Sequence, residues 1–277
     1  MRNYLNNYFE ILDLPFNLKE HDLIETMINK HISLFSFSSL NVILNKDLSL
    51  EPKPLFERVI QQSTGGYCFE HNKIFYLALE HLGFEVRPLI ARVMLNNDPE
   101  NGRSHRLTLL TLNNQQYIID VGFGAMSPRG LIALSQSDNT ILPFAQYQVE
   151  LDDRNTYRII KTNELKPVTL YRLDLSEATE TDCDISHFYS HKHEQAAFVN
   201  HLVVSRIDKD TRYLIRNLTF TKYDDSLNTH LSKLIENSFV LRQLLQENFK
   251  ISISNEEAHF IYEHQMNLLE KNTKKAS

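Results

Sequence analysis

Three changes of pattern along the 277-residue chain predict an α+β protein. Apolar residues recur at helical spacing over residues 1–83. From Phe84 to about Lys161 they alternate or form short runs, and the remainder mixes both patterns. The length exceeds one small core and suits two or three subdomains. Seven glycines and eight prolines leave no Gly- or Pro-rich linker, so these subdomains should pack closely.

The first helix rests on Leu5, Tyr8, Phe9 and Leu12. The second runs over residues 18–32 through Leu23, Met27 and Ile28. A third begins after the Thr64-Gly65-Gly66 turn and carries Ile74, Phe75, Leu79 and Leu82, with Gly83 where a C-terminal cap belongs. Segments 86–95, 105–112, 116–123, 146–151 and 157–161 are bounded by Asn, Asp, Gly or Pro and read as strands of a mostly antiparallel sheet or barrel. A helix over 193–202, a strand pair around 213–220, a helix over 229–249 and a last helix over 255–272 complete the expectation.

Hydrophobic residues make up 42% and charged residues 23%, the balance of a soluble globular chain. The formal net charge is -6, from 29 basic and 35 acidic residues, and the short basic cluster Lys274-Lys275 is no stripe for phosphates. Nucleic acid is therefore not an expected partner. No run approaches the ~20 apolar residues of a membrane helix, and Asn6, Asn7, Glu10 and Asp13 interrupt the start too often for a secretory leader. Two cysteines, Cys68 and Cys183, make no disulfide framework and point to a reducing, cytoplasmic setting.

The chemistry centres on Cys68, which follows Gly65-Gly66-Tyr67 and opens the third helix. Free N–H groups and the dipole at a helix start favour a thiolate. The competing account is a small buried hydrophobe, and the decision rests on partners. His105 and Asp120 lie on consecutive strand-like segments separated by Asn113-Asn114, residues that tolerate the positive φ of a two-residue hairpin turn. That register sets Leu112 opposite Gln115, Leu107 opposite Asp120 and His105 opposite Gly122, so His105 and Asp120 are diagonal neighbours on one face. A three-residue loop would put them on opposite faces, and a four-residue loop would move them further apart. A base oriented by a carboxylate beside a helix-start cysteine is the arrangement of nucleophilic triads. His71, three residues after Cys68, is a rival base without an obvious fixed carboxylate.

The segments Thr64-Gly65-Gly66-Tyr67-Cys68-Phe69-Glu70-His71-Asn72, Ser104-His105-Arg106 and Ile119-Asp120-Val121-Gly122-Phe123-Gly124 resemble the arylamine N-acetyltransferases. The likeness extends from Tyr8-Phe9-Glu10-Ile11-Leu12 through the stretch Phe198 to Arg206, nearly the whole chain. It implies a cysteine-protease-like Cys-His-Asp core with Cys68, His105 and Asp120 as the triad. It also implies a helical domain over 1–83, a β-barrel-like domain over 84–190, an interdomain helix over 191–210 and an α/β lid over 211–277. The implied reaction is ping-pong. Acetyl-CoA, a co-substrate and not a permanently bound cofactor, acetylates the cysteine, and an arylamine, arylhydrazine or N-hydroxyarylamine takes the acetyl group. Gly122, Phe123 and Gly124 match the segment lining the cleft near the acceptor and the pantetheine arm, and Phe37 matches an aromatic of the acceptor pocket. Ordinary core packing is the alternative for both phenylalanines.

Two positions depart from the family. Thr64 stands where it usually has Arg, and Ser38, in Ser36-Phe37-Ser38-Ser39, where it usually has Glu. That pair interacts in the family, so losing both together avoids an unpaired buried charge. His187, His191 and His193 have partial metal-ligand spacing, but a solvated helix start accounts for them better, and no metal is expected. Cys183 sits among Asp182 and Asp184, which disfavour a thiolate. Three rival functions remain at this stage: an amide synthase using a longer acyl thioester, a cysteine hydrolase or transglutaminase, and a binding protein on an inactive scaffold.

Overall fold

The computed structural model describes residues 3–135, 139–162 and 166–276, with side chains from Tyr4 through Lys271. The Lys274 and Lys275 side chains lie outside the described residues. The helical part holds α1 (Asn3–Leu12), α2 (Glu20–Leu34), a short strand β1 (Phe37–Ser38), α3 (Leu40–Ile43), and α4 (Pro52–Phe56) continued by one π turn over Glu57–Gln61. It ends with α5 (Cys68–His81). Tyr8, Leu12, Ile24, Met27, Phe56, Phe69, Phe75 and Leu79 are buried in one cluster, the apolar faces that helical spacing brings together. Gly83, at φ +86, follows α5 as expected of its cap.

The chain then forms β2 (Glu85–Val93), β3 (His105–Leu112), β4 (Gln115–Ile119), a 3₁₀ turn (Gly124–Met126), β5 (Ile132–Ala133), β6 (Thr140–Leu142), β7 (Ala145–Leu151), β8 (Tyr157–Lys161) and β9 (Val168–Leu173). These pair antiparallel in the order β5-β4-β3-β2-β9-β8-β7-β6. The sheet curls into a barrel, because Leu89, Leu107, Ile118, Val149, Ile159 and Leu170 from six different strands meet in one buried cluster. Alternate residues of β3, Leu110 and Leu112, face the other way and join the helical core, so β3 divides the two cores.

Next come α6 (Glu180–Lys192), α7 (Ala197–Asn200), β10 (Val203–Asp208), β11 (Thr211–Arg216), β12 (Thr219–Asp224), β13 (Thr229–Leu234), α8 (Ser238–Phe249) and α9 (Asn255–Ala276). The five-stranded sheet runs β1-β10-β11-β12-β13, so its first strand comes from the helical part. Leu40 and Ile43 of α3 pack with Val204, Ile215, Phe220, Leu241 and Leu245 in a third core.

Two expected helices differ. Over 193–202, and across the proposed interdomain helix over 191–210, no single helix runs: α6 ends at Lys192, α7 spans four residues, and Val203-Val204 start a strand. The β-branched pair favours extended backbone, and β10 finds partners on both sides in β1 and β11. Over 229–249, residues Thr229–Leu234 pair with β12 in full register, and α8 starts only after Asn237, whose side chain accepts from the Val240 N–H at 2.9 Å. An Asn N-cap in mid-segment was the available signal.

At the two family-divergent positions the groups are small and hydrogen-bonded. Thr64 Oγ1 donates to the Arg58 carbonyl at 3.0 Å and accepts from Asn41 Nδ2 at 3.1 Å, while Ser38 Oγ accepts from the Leu40 N–H at 3.1 Å. The buried carboxylate nearby, Glu70, is held by Arg58 at 2.7 Å. A new guanidinium at position 64 would therefore find Ser in place of a carboxylate at position 38 and the Glu70 carboxylate already occupied. Thr64→Arg is expected to destabilise the fold by about 1–2 kcal/mol in urea unfolding through the lost hydrogen bonds. Stabilisation by that single change would show that Ser38 and Thr64 are not a matched replacement.

Candidate active site

Cys68 is the first residue of α5 and is 2% exposed. The helix start is fixed from its own side chain: Glu70 Oε2 accepts from the Tyr67 N–H at 3.0 Å, and Glu70 Oε1 accepts from Arg58 Nη2 and Nε at 2.7 and 3.1 Å. Burial pushes the Glu70 carboxyl up, and Arg58 pulls against it. The carboxylate at the third helical position thus has a cation of its own, which limits its repulsion of a thiolate beside it. The Cys68 sulfur is 3.8 Å from the Ser104 carbonyl oxygen, which places it against the strand that carries His105.

The β3–β4 hairpin has the two-residue turn, with Asn113 and Asn114 at φ 52 and 61 and Leu112 opposite Gln115. The ladder runs to Thr108 opposite Ile119, and Asp120 follows at once. His105 Nε2 donates to Asp120 Oδ2 at 2.8 Å, and both side chains are buried. Two further donors hold the other oxygen: Asn72 Nδ2 at 2.9 Å and the Gly122 N–H at 3.0 Å reach Asp120 Oδ1. Burial of the His105 ring disfavours its charge. The Asp120 charge and hydrogen bond, with the Cys68 sulfur in hydrogen-bonding contact, outweigh burial and raise its pKa to about 10. With Nε2 on Asp120, Nδ1 is the nitrogen left for the sulfur.

His71 does something else. Its Nε2 faces the Ser36 carbonyl at 3.1 Å, an acceptor only, so Nε2 carries the proton and Nδ1 accepts. His31 Nε2 then donates to His71 Nδ1 at 2.9 Å, and Tyr8 Oη donates to His31 Nδ1 at 2.8 Å. Burial lowers His71 to about 4, and burial followed by the neighbouring His71 lowers His31 well below the ordinary range. Both rings are neutral with every nitrogen occupied, which removes His71 as a rival base.

Phe37, Gly122, Phe123 and Gly124 gather around the same place. The Phe123 ring stands edge-on to His105 at 5.0 Å, and Tyr171 lies 5.5 Å from His105 and 5.3 Å from Phe123. Phe37 stacks over His71 at 6.4 Å and meets Phe198 at 5.6 Å. Gly122 lies so near α5 that an added Cβ would stand 2.8 Å from Cys68 Cα and 2.7 Å from Asn72 Nδ2. Asn72 and Tyr171 carry no role in the sequence reading. Asn72 was findable, being four residues after Cys68 and so on its helix face. Tyr171 lies on β9, a strand outside the expected set.

The C-terminal histidines close α6 and do not start a helix. His187 is buried, donates from Nε2 to the Leu48 carbonyl at 2.8 Å and bonds Tyr67 Oη through Nδ1, so it braces the residue before Cys68. Burial lowers it to about 3. For Cys183 burial, more than its acidic neighbours, pushes the thiol up to about 11.

Two expectations follow from this geometry. Gly122→Ala forces backbone apart at Cys68, and should cost about 1–3 kcal/mol in urea unfolding and slow iodoacetamide alkylation of Cys68; unchanged values for both would refute the tight approach. Asp120 keeps His105 protonated up to about pH 10, so the imidazolium is present at pH 7 and is lost as pH rises through that value. Without Asp120 burial is left largely unopposed and drives the ring toward its neutral form. Alkylation of Cys68 at pH 7 should then be about tenfold slower in Asp120→Asn, with the two rates converging toward pH 10. Equal rates at pH 7 would rule Asp120 out as the charge partner.

Known proteins resemble this chain over most of its length. A family model described as N-acetyltransferase matches residues 22–258. The arylamine N-acetyltransferase of Escherichia coli K12 is 28% identical over 256 residues, covering 91% of this chain and 90% of that one. A Salmonella typhimurium protein named arylamine N-acetyltransferase / N-hydroxyarylamine O-acetyltransferase is 28% identical, covering 92% and 91%. The solved Salmonella typhimurium arylamine N-acetyltransferase superposes with a TM-score of 0.88 at 26% identity, covering 95% of this chain and 99% of that one. The Mycobacterium marinum enzyme, solved in complex with CoA, shares the fold at a TM-score of 0.87 and 19% identity, covering 94% and 98%. The chain belongs to the arylamine N-acetyltransferase family.

Proposed function

We propose that the protein transfers an acetyl group from acetyl-CoA, through a thioester on Cys68, to the nitrogen of an arylamine or arylhydrazine or the oxygen of an N-hydroxyarylamine. The observation that carries this reading is a single buried imidazole that donates to Asp120 at 2.8 Å and touches the Cys68 sulfur at a helix start.

Cys68 as thiolate attacks the acetyl carbonyl carbon of acetyl-CoA, paired with the His105 imidazolium. The tetrahedral intermediate collapses with loss of the CoA sulfur, which takes the proton from His105 and leaves as free thiol. The acceptor amine then attacks the Cys68 thioester, His105 accepts the amine proton, and the Cys68 sulfur departs as thiolate, restoring the starting ion pair. Asp120 stays ionised throughout and fixes the ring through Nε2. The oxyanion of each intermediate needs N–H donors. The Val121, Gly122 and Phe123 N–H groups already donate to Asn72, Asp120 and Ser127. The start of α5 is left as the source.

Phe37 and Phe123 supply apolar walls for an aromatic acceptor, Gly124 leaves room beside Phe37 for it and for the pantetheine arm, and Gly122 lets that segment lie against the start of α5. In this reading residues 1–83 bring the nucleophile, 84–190 bring base and acid, and 211–277, reached through 191–210, close the cleft. Acetyl-CoA is a co-substrate that comes and goes. Longer acyl donors and water as acceptor gain no separate support from the geometry.

Intact-mass analysis after incubation with acetyl-CoA should show one added acetyl group, removed again by an arylamine. Cys68→Ala should take up none. Adducts on that variant would move the nucleophile elsewhere, and acylation only by longer thioesters would replace acetyl-CoA as donor.

A further inference from the structure

Ser205 of β10 is 1% exposed, and its hydroxyl has no hydrogen-bond partner among the described residues. A buried hydroxyl without a partner is costly and calls for an explanation. Its surroundings supply one. In the β1–β10 pairing Ser205 stands directly opposite Phe37, so the two side chains share a face of the sheet. Its neighbours on that face of β10, Val203 and Ile207, are apolar and pack into the first core. A Cβ on Gly124, whose φ is +68, would stand 3.1 Å from Ser205 Oγ and 3.6 Å from Phe37 Cγ. The hydroxyl therefore lies at the junction of Phe37 and Gly124, two of the residues proposed above to line the acceptor's place.

Phe37 bridges Gly66 on one side and Ser205 on the other, and Gly66 lies two residues before Cys68. Two strand spacings of about 4.8 Å put Ser205 roughly 10 Å from Gly66. Phe37, proposed above as a wall for the acceptor ring, thus stands between the approach to Cys68 and Ser205.

We propose that Ser205 is a specificity-determining residue for the acyl acceptor, donating its hydroxyl hydrogen to an oxygen on a ring substituent of that acceptor. The assignment rests on the acetyl-transfer reading above. An amide oxygen of the pantetheine arm presents the same chemistry, and ping-pong kinetics separates the two sources because donor and acceptor half-reactions are measured independently.

The test compares wild type with Ser205→Ala on 4-aminobenzamide, 4-ethylaniline and acetyl-CoA. Taking each substrate as a ratio between the two proteins cancels intrinsic amine reactivity. The expected result is a fall of about tenfold in kcat/KM for 4-aminobenzamide, mainly through KM, and less than twofold for 4-ethylaniline. Ser205→Thr, which keeps the hydroxyl, should retain the preference for the amide. Equal losses for both amines, or no loss for either, overturn the assignment in favour of packing. A loss confined to the acetyl-CoA half-reaction overturns it in favour of the pantetheine arm. Wild-type protein that acetyl-CoA does not acetylate overturns the transfer reading and this assignment with it, whereas normal wild-type turnover confines any failure to Ser205.

Discussion

The Asp120 carboxylate is 1% exposed, and a buried anion is tolerated only where every oxygen is met. One oxygen takes the His105 Nε2 proton, and the other takes Asn72 Nδ2 and the Gly122 N–H. These donors come from a barrel strand, from α5 and from the chain just past β4. The carboxylate thus joins the helical core to the barrel, and the same bonds that satisfy it set His105 against Cys68. Asn72 does double duty, since its Oδ1 accepts from the Val121 N–H at 3.0 Å and its Nδ2 also reaches the Arg106 carbonyl at 2.6 Å. Gly122 completes the fit, because any side chain there would separate strand end and helix start.

Four buried histidines show how far partners decide chemistry. His31, His71 and His187 bond to carbonyls, tyrosine hydroxyls and one another and to no carboxylate, and burial drives all three toward the neutral form, with the Asp120 charge opposing it only weakly at His71. His105 is equally buried yet shifts the other way, because a carboxylate and a thiol face its two nitrogens. The neutral rings are structural for the site: His71 holds the Ser36 carbonyl next to Phe37, and His187 holds Tyr67 next to Cys68.

Local rules made much of this legible. The hairpin followed from Asn113-Asn114, because only turns with positive φ close two strands so tightly, and the face shared by His105 and Asp120 followed from counting. The helices α1, α2 and α5 followed from strong spacing. What stayed hidden depended on contacts distant in sequence. Thr229–Leu234 is polar enough to extend a helix pattern, and only the ladder to β12 makes it a strand. His187 reads as a solvated residue until Tyr67, 120 positions away, is packed against it. Tyr171 sits on a strand whose neighbours β2 and β8 were visible while it was not.

The strand β1 carries a further constraint on the cleft. It is two residues long, yet it is the edge of the five-stranded sheet and also bridges Gly66 just before the nucleophile. The Ser38 N–H donates to the Gly66 carbonyl at 2.6 Å and the Ser39 N–H to the Val203 carbonyl at 2.9 Å, so the backbone is held from both sides. Any motion of β10 away from the barrel must therefore act on β1 and, through Gly66, on the start of α5. Small hydrogen-bonded groups at Ser38 and Thr64 suit that position better than a long ionic pair. They hold the strap through short contacts that lose little side-chain entropy, and they leave the Arg58–Glu70 pair as the charged brace beneath Cys68.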